Sequence, residues 1–162
     1  MRLRSSIIQT DIRKDEKMDE QTIRLLEASF AEVMAIRAEA ATLFYERLFA
    51  LDPALEPLFH DADMRSQEMK LMAALALVVG KLRHLDEVIP VLETLAVRHV
   101  AYGVEERHYA TVGEALIQTL SLAFGKRFTP ELRGAWLTAY GAISGVMIAA
   151  AGRSQVAGIA AE

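Results

Sequence analysis

From Asp19 onward, apolar side chains recur at three- and four-residue intervals, and no segment reads as a strand. That spacing gathers them on one face of a helix, whereas a half-buried strand needs strict alternation. Ile23, Leu26, Phe30, Val33 and Met34 form the first such set, and Ala40, Leu43, Phe44, Leu48 and Leu51 the second. Pro53 stops the second helix, and Pro53 to Phe59 is short and Pro-dense enough for a turn or a 3₁₀ segment. Asp61 and Asp63 supply caps for a helix from about Met64 to His84, with Met69, Met72, Leu75, Ala76 and Val79 on its inner face. Pro90 suits a first helical turn, Val91, Leu92, Leu95 and Val97 lead to His99, and Gly103 ends that helix. Glu105 to Phe124 makes a further helix closed by Gly125. Thr129-Pro130 then launches a last one to about Ala151.

Six or seven helices with short connections pack as an all-α globule around one core, and 162 residues are enough to close it. The expected organisation is a mobile tail over residues 1–18, one domain over 19–151 and a frayed tail over 152–162. Gly134 to Gly152 carries no formal charge. Its Thr138, Tyr140, Ser144 and four glycines, with no basic cluster to one side, favour a buried core helix over a membrane span. Met1 to Lys17 is polar and lacks the apolar centre of a secretory signal. A net charge of −4 without a dense basic patch in the domain argues against nucleic acid as a partner. There is no cysteine. Disulfides, thiolate metal sites, iron–sulfur clusters and thioether-linked groups are thereby excluded, and a soluble protein of the reducing cytoplasm is expected.

Four histidines remain as candidate ligands. His60 sits in a loop beside Asp61, His84 at a polar helix end where a cation suits the helix dipole, and His108 at a helix start. His99 alone follows an apolar helix face, with Leu95 one turn before it. A neutral imidazole there can offer Nε2 to a metal while Nδ1–H bonds a carbonyl one turn back. One histidine cannot build a zinc site, but a haem needs only one protein ligand, because the porphyrin supplies four nitrogens.

Five stretches, in order and with compatible gaps, carry a resemblance. They are Leu43-Phe44-Tyr45-Glu46-Arg47-Leu48-Phe49, Pro57-Leu58-Phe59, Val97-Arg98-His99-Val100-Ala101-Tyr102-Gly103-Val104, Arg107-His108-Tyr109-Ala110-Thr111-Val112-Gly113 and Ala135-Trp136-Leu137-Thr138-Ala139-Tyr140-Gly141. From about Asp19 to Ala151 the chain resembles the bacterial single-domain haemoglobins and the globin half of flavohaemoglobins. The resemblance implies a globin fold of six to eight helices around a haem b, with His99 as proximal ligand. It implies that Phe59 packs on the porphyrin, that Tyr45 donates to bound dioxygen, and that Gln67 and Leu71 form the distal pair above the iron. Met69 is the alternative to Gln67, since the preceding loop varies in length. Lys70 is placed to reach a haem carboxylate, Tyr109 matches a proximal-side tyrosine, and Val104 falls among the residues that contact the haem. One departure stands out: relatives carry a Glu on the last helix that joins the proximal Tyr and His, and Ile148-Ala149-Ala150-Ala151 has no acid there.

The resemblance implies reversible binding of dioxygen, nitric oxide or carbon monoxide, for oxygen transport or storage, by a monomer or homodimer with no membrane or nucleic-acid partner. A nitric oxide dioxygenase served by a separate reductase is the second expectation, since no flavin or nicotinamide fingerprint is present. A haem-based or haem-free regulatory module, such as a gas sensor, is the third. A dye-binding light-harvesting protein is disfavoured by the missing cysteine.

Overall fold

The computed structural model describes residues 18–161, so the tail expected over residues 1–18 lies, for residues 1–17, outside the described residues. Six α-helices and three 3₁₀ segments make up the described fold, and no strand occurs among the described residues. Helix α1 spans Glu20–Ala35, and Asp19 caps it by accepting from the Thr22 amide at 2.8 Å. Its Ile23, Leu26, Phe30 and Val33 are all buried. Helix α2 (Arg37–Leu51) ends where Asp52 and Pro53 turn the chain into a 3₁₀ segment, Pro53–Phe59. Helix α3 is Met64–Gly80, capped by Asp63, whose carboxylate accepts from the Arg65 amide at 3.2 Å.

Two helix ends depart from the periodic reading. Helix α3 stops at Gly80, four residues before the expected His84, and a 3₁₀ segment, Leu82–Glu87, follows. His84 has φ −141° and ψ 52°, outside any helix. The kink buries Leu82 and lets the Arg83 guanidinium reach the carboxylates of Glu20 and Glu27 on α1. A glycine at the break lowers the cost of leaving the helix, being worth about 1 kcal/mol less than alanine within one. Helix α4 (Ile89–Ala101) carries Pro90 in its first turn, and helix α5 (Glu106–Phe124) closes at Gly125, whose φ of +58° suits glycine. After the 3₁₀ turn Gly125–Arg127, α6 runs Pro130–Ala161, ten residues beyond the expected end.

The most extensive pairings are α4 with α6 and α2 with α5, and one apolar cluster runs through all six helices. Trp136 on α6 ties into it: its indole N–H donates to the Ser29 hydroxyl at 3.0 Å, and Ser29 donates onward to the Leu25 carbonyl at 2.8 Å. A buried indole N–H is thereby satisfied across two helices. Within α6, Pro130–Gln155 is long and apolar enough to cross a bilayer. Here Leu132, Ala135, Trp136, Ala139, Met147 and Ala150 turn inward into the core, while Leu137 on the other face is exposed. The helix is thus buried on one face rather than all round.

Candidate functional site

A cavity of about 560 Å³ opens among α2, the 53–59 segment and α3 through α6. That is the size of site that takes a cofactor or drug-sized molecule. Its wall is mostly apolar, and of the polar residues on it His60, Asp61 and Tyr102 are exposed.

His99 reaches the cavity from the last turn of α4. Its Nδ1 donates to the Leu95 carbonyl at 2.7 Å, the bond expected from the four-residue spacing. With Nδ1 occupied, the free lone pair is on Nε2. Burial holds the imidazole below the usual histidine range, partly offset by the Leu95 bond, so the ring is neutral at physiological pH. Past His99 the chain turns at Gly103, whose φ of +96° brings its backbone against Leu58, another cavity residue. A Cβ there would stand 3.2 Å from the Leu58 side chain.

Helices α2 and α3 supply Tyr45, Gln67 and Leu71 to the same cavity. Tyr45 is buried and packs edge-on against Phe44 and Phe59, with centroids 5.0 and 5.6 Å away. Burial, reinforced by the charge of Glu68, pushes its phenol up to about 12, so it remains a protonated donor. Phe59 and Val104 also line the cavity. Met69, the alternative to Gln67, is 68% exposed and off the wall, and Lys70 is likewise exposed and off it.

Helices α5 and α6 add residues that the sequence did not single out. Helix α5 carries His108, whose Nδ1 accepts from the Glu105 amide at 2.8 Å. This makes it a capping residue, as its place at a helix start suggested, but it is also only 5% exposed and lines the cavity. The Glu105-to-His108 spacing, N-cap to third residue, was the available signal. Tyr140 on α6 donates its hydroxyl to the Tyr109 carbonyl at 2.6 Å. It reaches that carbonyl over Gly113, where an added Cβ would sit 2.7 Å from the tyrosine ring. Gly113→Ala is therefore expected to displace Tyr140 at a cost of about 1–3 kcal/mol, of which the better helix propensity of alanine offsets about 1 kcal/mol, lowering Tm by up to roughly 8 °C. Thermal unfolding of the variant checks this, and a raised Tm contradicts it. The Tyr109 hydroxyl is buried and has no hydrogen-bond partner. No carboxylate meets it: Ala150 and Ala151 of α6 present only methyl groups to the core.

Among the described residues no group of three or more His, Asp or Glu could hold a bare metal ion. A half-buried imidazole with an open Nε2, on a large apolar cavity, fits a metal that arrives with most of its ligands, as the iron of a haem does. Phe59, Leu71 and Val104 offer flat and branched apolar surface suited to a macrocycle.

The sequence model of the globin family matches residues 42–147. The flavohemoprotein of Bordetella parapertussis is 34% identical over 130 residues, covering 78% of this chain and 32% of the relative. That of Chromobacterium violaceum is 29% identical over 134 residues, covering 81% of this chain and 33% of the relative. The chain thus spans about a third of the length of the curated relatives it matches. Among solved structures, a bacterial globin from Campylobacter jejuni superposes with a TM-score of 0.74 at 22% identity, covering 83% of this chain and 97% of the other. An engineered carbene transferase, whose Rhodothermus marinus parent is assigned as a nitric oxide dioxygenase, superposes with a TM-score of 0.77 at 24% identity. That match covers 90% of this chain and 100% of the other.

Proposed function

The chain belongs to the globin family, and from that premise we propose that residues 19–151 bind a haem b through His99 and use it to hold a diatomic gas, dioxygen first, reversibly. Haem supplies an iron with a coordination position open to such a gas. The observation that carries the reading is the unprotonated Nε2 of half-buried His99 on a cavity whose α2 and α3 walls bear the hydrogen-bond donors Tyr45 and Gln67. The Leu95 carbonyl holds the imidazole in the tautomer that leaves Nε2 unprotonated. The Tyr45 hydroxyl and the Gln67 amide are donors to a ligand that carries partial negative charge. On a mostly apolar cavity wall such donors are worth more than in bulk water. With no cysteine in the chain, the haem is held without a thioether bond.

Nitric oxide dioxygenation is the second reading, favoured by the likeness to flavohemoproteins and to the Rhodothermus marinus parent. It requires an electron donor and gains from a proximal histidine with imidazolate character. His99 bonds only a neutral carbonyl, and the Tyr109 hydroxyl beside the same cavity meets no acid. Both features favour gas holding over fast turnover. Rapid mixing of the oxygenated protein with nitric oxide, with and without an added reductase, separates the two. Repeated reversible deoxygenation with little sustained nitric oxide consumption is expected. Sustained consumption once a reductase is added contradicts the carrier reading.

A further inference from the structure

Gln67 and Leu71 lie in the first two turns of α3, yet no side chain from Met64 to Leu71 is buried, and the buried ones begin at Met72. Only Met64 and Leu71 of that stretch pack, half-buried, against the core, so packing holds its two ends and leaves Gln67 and Glu68 between them less constrained. The Asp63 cap fixes its backbone locally but ties it to nothing else. Among the described residues, one side-chain hydrogen bond joins this stretch to another helix: Thr42 Oγ1 on α2 donates to Glu68 Oε2 at 3.0 Å. Glu68 enters none of the ion pairs among the described residues, so no cation draws it away from Thr42.

The two ends of this bond stand beside the two donors. Thr42 is three residues before Tyr45, one turn away on neighbouring positions of α2, and Glu68 directly follows Gln67. Glu68 is also near enough for its charge to act on the Tyr45 phenol. We propose that Thr42 and Glu68 are a positioning pair, whose hydrogen bond sets the separation of the Tyr45 and Gln67 donors and thereby how long a gas ligand is retained. The inference rests on the gas-binding reading above. Neither residue touches the cavity, so both act only through their neighbours.

The test uses the full chain loaded with haem in four forms: Thr42→Val, Glu68→Ala, Glu68→Gln and, as reference, Tyr45→Phe. Two quantities are read, the dioxygen dissociation rate and the infrared stretching band of carbon monoxide, which reports the polarity around the gas. Thr42→Val keeps the side chain's shape and removes the donor. It and Glu68→Ala are expected to speed dioxygen loss about 2- to 10-fold, modest because the bond is partly hydrated, and to broaden or split the carbon monoxide band. Glu68→Gln keeps an acceptor for Thr42 and should stay near wild type in both. If Thr42→Val and Glu68→Ala leave both readouts unchanged while Tyr45→Phe moves them, the positioning pair is refuted and the gas-binding reading stands. If Glu68→Gln behaves as Glu68→Ala does, the charge acts rather than the hydrogen bond, and the positioning pair is again refuted. A silent Tyr45→Phe removes the donor role of Tyr45, and the pair with it.

Discussion

Replacing His99 with alanine is expected to abolish stable haem uptake. His99 is the one half-buried imidazole on the cavity with an open Nε2, His60 on the same wall is exposed, and among the described residues no cluster of His, Asp or Glu could take over. His108, the other buried histidine on the wall, has its Nδ1 engaged with the Glu105 amide and serves the start of α5. A cofactor bound only to the native state stabilises it by mass action, by about 4 kcal/mol when free haem is at 1,000 times Kd. At about 2–4 °C per kcal/mol for a chain of this size, wild-type protein with haem should melt roughly 8–16 °C above the same protein without it. In His99→Ala that gap should nearly close. Side-by-side melts with and without haem, together with the Soret absorbance retained after gel filtration, check the expectation. A variant that keeps its haem and its full melting increment refutes the proximal assignment.

Tyr45→Phe is expected to speed dioxygen loss by roughly 10- to 150-fold. The substitution leaves the ring against Phe44 and Phe59 and removes only the hydroxyl. A hydrogen bond to a charged group is worth about 1.5–3 kcal/mol, and each 1.4 kcal/mol is a factor of about ten. Carbon monoxide carries little charge, so its affinity should barely change. Because the phenol is pushed up to about 12, it donates throughout the neutral range, and the ratio of variant to wild-type rates should be flat from about pH 6 to 9. Gln67→Leu should act in the same direction more weakly, and the double variant should fall short of additivity if both donors share one ligand atom. Stopped-flow displacement of dioxygen measures all of these. Equal rates in wild type and Tyr45→Phe would make Tyr45 a packing residue only.

The parts of this structure that were legible from residues alone were those governed by local chemistry. Caps and breakers at Asp63, Pro53, Pro90, Gly125 and Thr129 mark helix ends because each satisfies or removes a specific backbone group. The Leu95–His99 bond was legible for the same reason, as residues four apart face one another on a helix. What escaped was set by contacts distant in sequence. Helix α3 ends early because Leu82 finds a buried place and Arg83 finds acids some 60 positions away. Helix α6 continues to Ala161, with Arg153 paired to Glu93 of α4 at 3.0 Å, and neither partner signals the other locally.

The same division runs through the cavity. Tyr45, Phe59, Gln67, Leu71, Val104 and Tyr109 were named through a resemblance of short motifs, and all six line the cavity with His99. Lys70 is exposed and does not line the cavity. Tyr140 was part of a motif but had no assigned role, because its contact with the Tyr109 carbonyl depends on an absent side chain at Gly113, far away on α5. Gln67 and Met69 differ by two positions, or about 200° around a helix. Which of them faces inward therefore follows from the packing of α3 as a whole.

The resonance Raman spectrum of the ferrous, haem-loaded protein tests the central claim most directly, because it observes the bond between iron and the proximal histidine. An iron–histidine stretching band that disappears in His99→Ala is expected. The wild-type band should lie at the low-frequency end typical of a neutral imidazole, since Nδ1 meets only the Leu95 carbonyl and no acid reinforces it. A protein that takes up no haem, or whose iron–histidine band survives in His99→Ala, would contradict the account at its base. A high-frequency band of imidazolate type in wild type would contradict the neutral proximal side inferred from Leu95, Tyr109 and Ala151.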